Sequence, residues 1–183
     1  MDTEALSRSP IGRVFIRMMA GIMESRLRYK FFGPERILTG ARITPGMKVL
    51  EVGCGTGFFT VPASGMLGEQ GALIAMDVLS DSVEAVKRKV EEAGLGNVQV
   101  VKGDALDTGL ESESLDEVIL FGVIPAPMLP MEKLLVEMHR ILRPGGMLAV
   151  WPPSWVHLMI ARSRWFVFVG KQNSVYNYRR ADA

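Results

Sequence analysis

Residues 49–60 read Val-Leu-Glu-Val-Gly-Cys-Gly-Thr-Gly-Phe-Phe-Thr, an apolar run that ends in glycines at every second position, Gly53, Gly55 and Gly57. Glycine reaches positive φ and, lacking Cβ, lets a ligand come close to the backbone. A strand that breaks into such a loop ahead of a helix makes a nucleotide-sized cradle at the strand's carboxyl end. The dinucleotide fingerprint G-x-G-x-x-G would need its third glycine where Phe58 stands. A pyrophosphate also needs exposed N–H groups at a helix start, and Phe58-Phe59 is a bulky way to begin one. No hydride-transfer acid is evident either, so a nicotinamide-dependent enzyme is disfavoured.

Downstream, three more features follow in order. Ala72–Met76 is a short apolar run ending at Asp77, twenty residues beyond Gly57. Val98–Val101 leads to Gly103-Asp104-Ala105, a second acid just past a strand. Leu115–Phe121 is a longer apolar run, and Leu142–Val150 carries Arg-Pro-Gly-Gly ahead of another strand. Taken with the glycine loop, these segments resemble the class I S-adenosylmethionine-dependent methyltransferases, and within them the ubiquinone/menaquinone-biosynthesis methyltransferase-like group. The resemblance covers about residues 44 to 151.

It implies S-adenosyl-L-methionine as cofactor, held around Glu51, Gly53, Gly55, Gly57, Phe58, Asp77, Val78, Gly103, Asp104, Ala105, Phe121 and Gly122. A carboxylate at position 77 can accept both ribose hydroxyls. The acid equivalent to Asp104 accepts the adenine amino group in the family, and the N–H after it meets a ring nitrogen. Each acid also has a plainer reading. Asp77 could cap the amphipathic stretch that starts at Ser80, Asp104 could be a turn residue, and Glu51 could accept loop N–H groups.

Alternating strand and helix argue for a parallel sheet covered on both faces. The expected fold is α/β, a Rossmann-like doubly wound, mostly parallel seven-stranded sheet with an antiparallel C-terminal hairpin. Strands are expected near 47–52, 72–76, 97–101, 115–121 and 146–151, and helices near 57–67, 80–93 and 130–142. In the helix at 80–93, Val83, Val86 and Val90 oppose Glu84, Lys87, Arg88 and Glu91, a 3.6-residue period. A short helical stretch, Val156 to Ser163, precedes a hairpin whose turn is read at Gly170-Lys-Gln-Asn173. Residues 1–45 are read as a helical lid or cap and 46–183 as the cofactor-binding domain. Within the cap, Ile11, Val14, Phe15, Met18, Ile22 and Met23 share one face. They would cover the sheet, pair with a second subunit or lie on a membrane surface, and Tyr29–Phe32 could line a substrate pocket.

With 183 residues the chain can bury one good core. It is 48% hydrophobic with a mean hydropathy of +0.19, yet no apolar run reaches the ~18 residues of a membrane span. The acid-bearing N-terminus does not read as a signal peptide. The single cysteine, Cys54, excludes an internal disulfide and fits a reducing, cytoplasmic setting. It reads as a space-filler in the loop rather than a reactive thiol. Net charge is +1, but residues 1–48 carry +5, 49–155 carry −8 and 156–183 carry +4. The basic flanks suit either solvated faces or an anionic partner such as a phosphorylated substrate, RNA or lipid headgroups.

Methyl transfer from a sulfonium asks the protein to orient a nucleophile and exclude water. A base is needed only if the acceptor starts protonated and weakly acidic. The stretch Gly122–Pro130, expected beside the acceptor, has no ionisable residue. That points to catalysis by positioning on a small apolar or amphipathic acceptor. His157 is a weak candidate base and His139 reads as structural. No residues have metal-ligand spacing, so no metal is expected. Amino-methylating nucleic-acid enzymes carry an [Asp/Asn/Ser]-Pro-Pro-aromatic motif after the fourth strand; Gly122-Val-Ile-Pro125 departs from it, and nucleic acid is disfavoured as a partner. A non-catalytic subunit holding S-adenosylmethionine or a nucleoside, and an RNA methyltransferase, stand as alternatives. Monomer and homodimer are both open.

Overall fold

The computed structural model describes residues 33–123, 130–151 and 154–182, with the side chains of Ser154 and Trp155 excluded. The expected amphipathic face of residues 11–23, the Tyr29–Phe32 lining and residues 124–129 of the loop after the fourth strand lie outside the described residues. The elements, in chain order, are α1 Pro34–Leu38, β1 Lys48–Val52, α2 Thr60–Leu67, β2 Ala72–Asp77, α3 Ser80–Glu92, β3 Val98–Lys102, β4 Leu115–Phe121, α4 Met131–Ile141, β5 Leu142–Trp151, α5 Ser154–Ala161, β6 Phe166–Gln172 and β7 Val175–Arg180.

Seven strands form one sheet in the order β3-β2-β1-β4-β5-β7-β6. β1 to β5 are mutually parallel, and β7 runs antiparallel to both β5 and β6. The chain reverses its direction of travel across the sheet between β1 and β4. A parallel α/β sheet places its ligand in the crevice at the strands' carboxyl ends at such a switch point.

Strand alternation sorts side chains to two faces. Leu50, Val52, Val118, Leu120, Leu148, Val150 and Tyr178 face α4 and α5, which contribute Leu134, Met138, Val156 and Ile160. On the other face, Val49, Ile119, Phe121 and Ala149 meet α1 and α2 through Ile37, Leu38, Ala63 and Leu67. Residues Pro34 to Ile43 therefore share the core of the sheet: Ile37, Leu38, Ala41 and Ile43 are all buried in it. α3 buries Val83, Val86 and Val90, as its period requires. Gly94 at φ +63° ends it in the left-handed conformation typical after a helix.

Four boundaries differ from expectation. α2 starts at Thr60 rather than at residue 57, because Gly55–Phe59 are taken up by the turn of the glycine loop. α5 spans Ser154–Ala161, two residues ahead of the expected stretch. β5 reaches back to Leu142, with an irregularity opposite Leu115–Glu117 that absorbs Pro144-Gly-Gly146 inside the strand. The hairpin turn is Asn173-Ser174, not residues 170–173. Both turn residues have positive φ, +46° and +64°, the tight two-residue geometry that suits the twist of paired strands. β6 meanwhile continues through Gly170 by means of a bulge after Phe168.

Candidate functional site

The loop after β1 is built around backbone left-handed turns: Gly53, Gly55 and Gly57 have φ of +67°, +54° and +80°. A Cβ on Gly53 would lie 2.8 Å from Val123 Cγ2, so this position requires glycine for space as well as for φ. At Gly55 the constraint differs. A Cβ there would meet nothing closer than the Gly53 carbonyl oxygen at 3.9 Å and would project into open space. The loop is held from three sides. Cys54 N–H donates to the Met76 carbonyl at 3.0 Å, Gly57 N–H to the Cys54 carbonyl at 2.8 Å, and Lys89 Nζ on α3 to the Thr56 carbonyl at 2.7 Å.

Asp77, at the carboxyl end of β2, joins this loop directly. Its Oδ2 accepts from Gly55 N–H and its Oδ1 from Leu79 N–H, both at 2.9 Å. It is not the cap of α3, whose N-cap is Leu79 with no side-chain cap bond. Burial pushes its carboxyl above the usual range, against the opposing pull of those N–H groups. The carboxylate is thus fixed beside the glycine loop by a residue on either side of it.

Glu51 lies one layer deeper, 2% exposed, and its Oε2 accepts from the Thr60 hydroxyl at 2.6 Å. Burial pushes its carboxyl up to about 8, with Asp77 adding to the shift and Thr60 opposing it. The folded protein therefore retains a proton that an unfolded chain releases from 4.5 upward. The stability contributed by this group falls as pH rises from about 4.5 to about 8 and levels off above that. At ~1.36 kcal/mol per pKa unit the loss approaches roughly 5 kcal/mol. Glu117, also buried and raised to about 7, adds a slope of the same sign. Glu51→Gln is therefore expected to flatten the decline of melting temperature between about pH 5 and 9 without erasing it. An unaltered decline would rule out Glu51 as its source.

Cys54 is 4% exposed, and burial together with the carboxylates of Glu51 and Asp77 pushes its thiol far up. It fills space and has no thiolate to offer.

Around the rim, Gly103 N–H donates to the Asp77 carbonyl at 3.0 Å, which ties the loop after β3 to the end of β2, next to Val78. A Cβ on Gly103 would come within 2.9 Å of Met76 Cε. Asp104 is exposed and its Oδ1 accepts from Leu106 N–H at 2.9 Å, closing a local turn around Ala105. Gly122 N–H donates to the Trp151 carbonyl at 2.8 Å, joining the carboxyl ends of β4 and β5. Phe58 is buried rather than lining the cradle: its ring packs edge-on against Phe59, which in turn meets Phe121 and Trp151. These aromatics form the floor beneath the carboxyl ends of β1, β4 and β5.

His157 stands apart from this cluster. Its Nδ1 is 2.8 Å from the Tyr178 hydroxyl, and its ring packs against Phe168, Tyr176 and Tyr178. His139 is buried between Trp165 and Phe166, with Nε2 2.9 Å from the Ala181 carbonyl. Among the described residues, no group of three or more His, Cys, Asp or Glu side chains could hold a metal. Two surface cavities of about 450 and 440 Å³ lie at the opposite, amino end of the sheet, around Gly94–Asn97 and along the starts of β1 to β3. The Asn97 amide in them is already spent on Ser64 and Gly68. They offer no convergent charge, and the chemistry lies at the carboxyl end.

Sequence reading missed Lys89 and Thr60. Lys89 sits three positions after Val86, so it can reach the loop that Val86 packs beneath. Thr60 is the first residue of α2, on the buried side that faces Glu51.

The site fits S-adenosylmethionine on its own terms. The cradle has open space at Gly55, a fixed carboxylate at Asp77 and one buried polar atom without a hydrogen bond, Thr56 Oγ1. The sheet order, the switch point and the acidic glycine loop define the class I methyltransferase fold. A family model described as methyltransferase domain matches residues 49–146, more than half of the chain. The chain belongs to that family, and S-adenosyl-L-methionine is its cofactor. It is 36% identical over 114 residues to demethylmenaquinone methyltransferase of Staphylococcus aureus, which spans 62% of this chain and 46% of that protein. The match thus covers less than half the length of that curated relative. Among solved structures, an S-adenosylmethionine-dependent methyltransferase from Aquifex aeolicus superposes with a TM-score of 0.73 at 26% identity, over 89% of this chain and 96% of that one. An arsenic(III) S-adenosylmethionine methyltransferase from Chlamydomonas reinhardtii matches at TM-score 0.52 and 28% identity, over 58% of this chain and 38% of that one. Among the described residues, no helix is long and apolar enough to cross a membrane.

Proposed function

We propose that this chain transfers a methyl group to a small apolar or amphipathic acceptor, mainly by positioning it, and that the acceptor is a reduced quinone-type ring. The observation that carries the positional part is the chemistry of the acceptor side. The described residues at the carboxyl ends of β4 and β5, Phe121, Gly122, Val123 and Trp151, hold no ionisable side chain. The name of the Staphylococcus aureus relative supports the acceptor class.

In this reading Asp77 takes the ribose hydroxyls, with Val78 beside it. Asp104 and the N–H of Ala105 take the adenine edge, with Gly103 giving the approach. Gly53, Gly55 and Gly57 let the methionine portion lie against the backbone. Glu51 braces the loop from below through Thr60, while Phe58, Phe121 and Gly122 shape the floor. The cofactor supplies a sulfonium methyl with a neutral thioether as leaving group. The protein's share is to align the nucleophile in line with that methyl and to keep water out. A ring carbon flanked by an ionised hydroxyl attacks the methyl without a side-chain base; the C–S electron pair stays on the departing thioether, and the proton on that ring carbon is then lost to solvent as the ring rearomatises. Of the residues preceding position 46, those before Pro34 are proposed to complete the acceptor side as a lid, since Pro34 to Ile43 are built into the core of the sheet.

His157 serves packing in this proposal. His157→Phe is expected to lower stability by about 1–3 kcal/mol, because the buried Tyr178 hydroxyl loses its partner. The pH–rate profile should keep its shape. A lost limb in that profile would instead make His157 a base. The proposal as a whole is tested by single-turnover transfer of labelled methyl to reduced naphthoquinones, with transfer RNA as the competing acceptor. Methylation of RNA alone would overturn the acceptor assignment. Cofactor binding with no transfer to any acceptor would favour a non-catalytic binding subunit.

A further inference from the structure

Among the described residues seven large apolar side chains are exposed, and five of them fall between Leu158 and Val169. Leu158 and Met159, on the outer side of α5, are 53% and 44% exposed. Val167, Phe168 and Val169 on β6 are 46%, 41% and 36% exposed. β6 is the outermost strand of the sheet, so these side chains flank its free edge on both faces. Soluble monomers rarely expose contiguous apolar surface of this kind without a use for it.

Charge distinguishes what the patch fits. From Glu137 to Asp182 the sequence contains no acidic residue, while seven Lys and Arg fall between them. Arg140, Arg143 and Arg180 are ion-paired with Glu137, Asp116 and Glu113. Arg162, Arg164, Lys171 and Arg179 make no ion pair among the described residues, and all four are exposed. Arg164 lies over the Trp165 ring at 4.5 Å and Lys171 over the Tyr176 ring at 4.9 Å, so both cations rim the apolar surface. Strand-to-strand pairing with a second copy suits this edge poorly. β6 is bulged between Phe168 and Gly170, and bulges and edge cations are the devices that discourage such pairing.

We propose that the α5–β6 edge is a docking surface for an anionic lipid bilayer, with Leu158, Met159, Val167, Phe168 and Val169 entering the headgroup boundary and the four unpaired cations meeting anionic headgroups. The orientation suits an acceptor delivered from lipid. Lys171 pairs with Tyr176 and Tyr176 with Val150, which puts Lys171 at the same end of the sheet as the site, while Arg162 and Arg164, just ahead of β6, and Arg179, opposite Val167, extend the cationic rim toward the other end. Four strand spacings, about 19 Å, separate β6 from β1, and the acceptor side lies between them. The use of the surface rests on the acceptor reading above, but docking is measured without cofactor or acceptor, so the two fail separately.

The test is flotation of the purified chain with vesicles of phosphatidylcholine alone and of phosphatidylcholine with about one-third phosphatidylglycerol. The chain is expected to float with the anionic vesicles and to bind the neutral ones several hundred times more weakly, at about fivefold for each of the four cations. Arg162→Gln with Lys171→Gln should weaken anionic binding roughly 25-fold, at about fivefold per charge. Leu158→Glu with Val167→Glu should abolish it. Both pairs change exposed positions and should leave the melting temperature and the cofactor titration as in the parent. Equal binding to both vesicles, or flotation with neither, would overturn the proposal. So would a dimer in light scattering that Leu158→Glu with Val167→Glu dissociates, since the edge would then belong to a second copy.

Discussion

Asp77→Ala is expected to weaken S-adenosylmethionine binding by roughly a hundredfold or more, which calorimetric titration reads directly. In the proposed ribose role its carboxylate accepts two hydrogen bonds that the variant loses, each worth about 1.5–3 kcal/mol. A second cost arises before any ligand is added. The N–H groups of Gly55 and Leu79 both donate to this carboxylate at 2.9 Å. Without it the glycine loop loses its tie to β2, so the cradle must be ordered at the expense of binding. Asp77→Asn separates the two contributions. The amide retains one accepting oxygen and so holds one of the two N–H groups, but it offers the ribose a weaker, uncharged partner. Its affinity should fall between the parent and the alanine variant. A titration in which Asp77→Ala binds within about threefold of the parent would remove Asp77 from the ribose site.

Gly55→Ala should be the other large effect, and for a different reason. At φ +54° an alanine costs about 1–2 kcal/mol of backbone strain, which a folded domain survives. The new methyl meets no protein atom closer than 3.9 Å, so it stands in the space where a ligand would approach. Folding should persist while binding is lost. Gly46→Ala is the control, because it carries a similar left-handed φ of +86° with nothing within 4 Å of the added methyl. It lies in the connection before β1, far from the carboxyl end. Equal loss of binding in both variants would show that strain, and not occupation of the cradle, is responsible.

The strands, the glycine loop and the place of Asp77 at the end of β2 were legible because each leaves a local signature. Val49–Val52 followed by alternating glycines, Ala72–Met76 followed by Asp77, and the period of Val83, Val86 and Val90 are all patterns within one element. Interactions between elements were much less so. The pull of Lys89 on the Thr56 carbonyl crosses 33 residues, and its spacing on α3 marks it only as one charge among several. Phe58 could be placed in the loop but not assigned to the floor, since its contacts with Phe59 depend on where α2 begins. The hairpin turn slipped because Gly170 looked like the turn residue, whereas it serves a bulge and Asn173-Ser174 make the turn.

By itself the sequence determined the class of fold, the glycine loop after β1 and the likeness to quinone methyltransferases, because glycine spacing, strand runs and their order are carried by the chain alone. The tertiary structure decided which groups share a site. It brought Asp77 onto Gly55, set Glu51 beneath the loop against Thr60, and gave His157 to Tyr178. It also gathered the exposed apolar residues of α5 and β6 on one edge. Those outcomes depend on sheet order and on which face each side chain takes, and both are fixed only when distant strands pair.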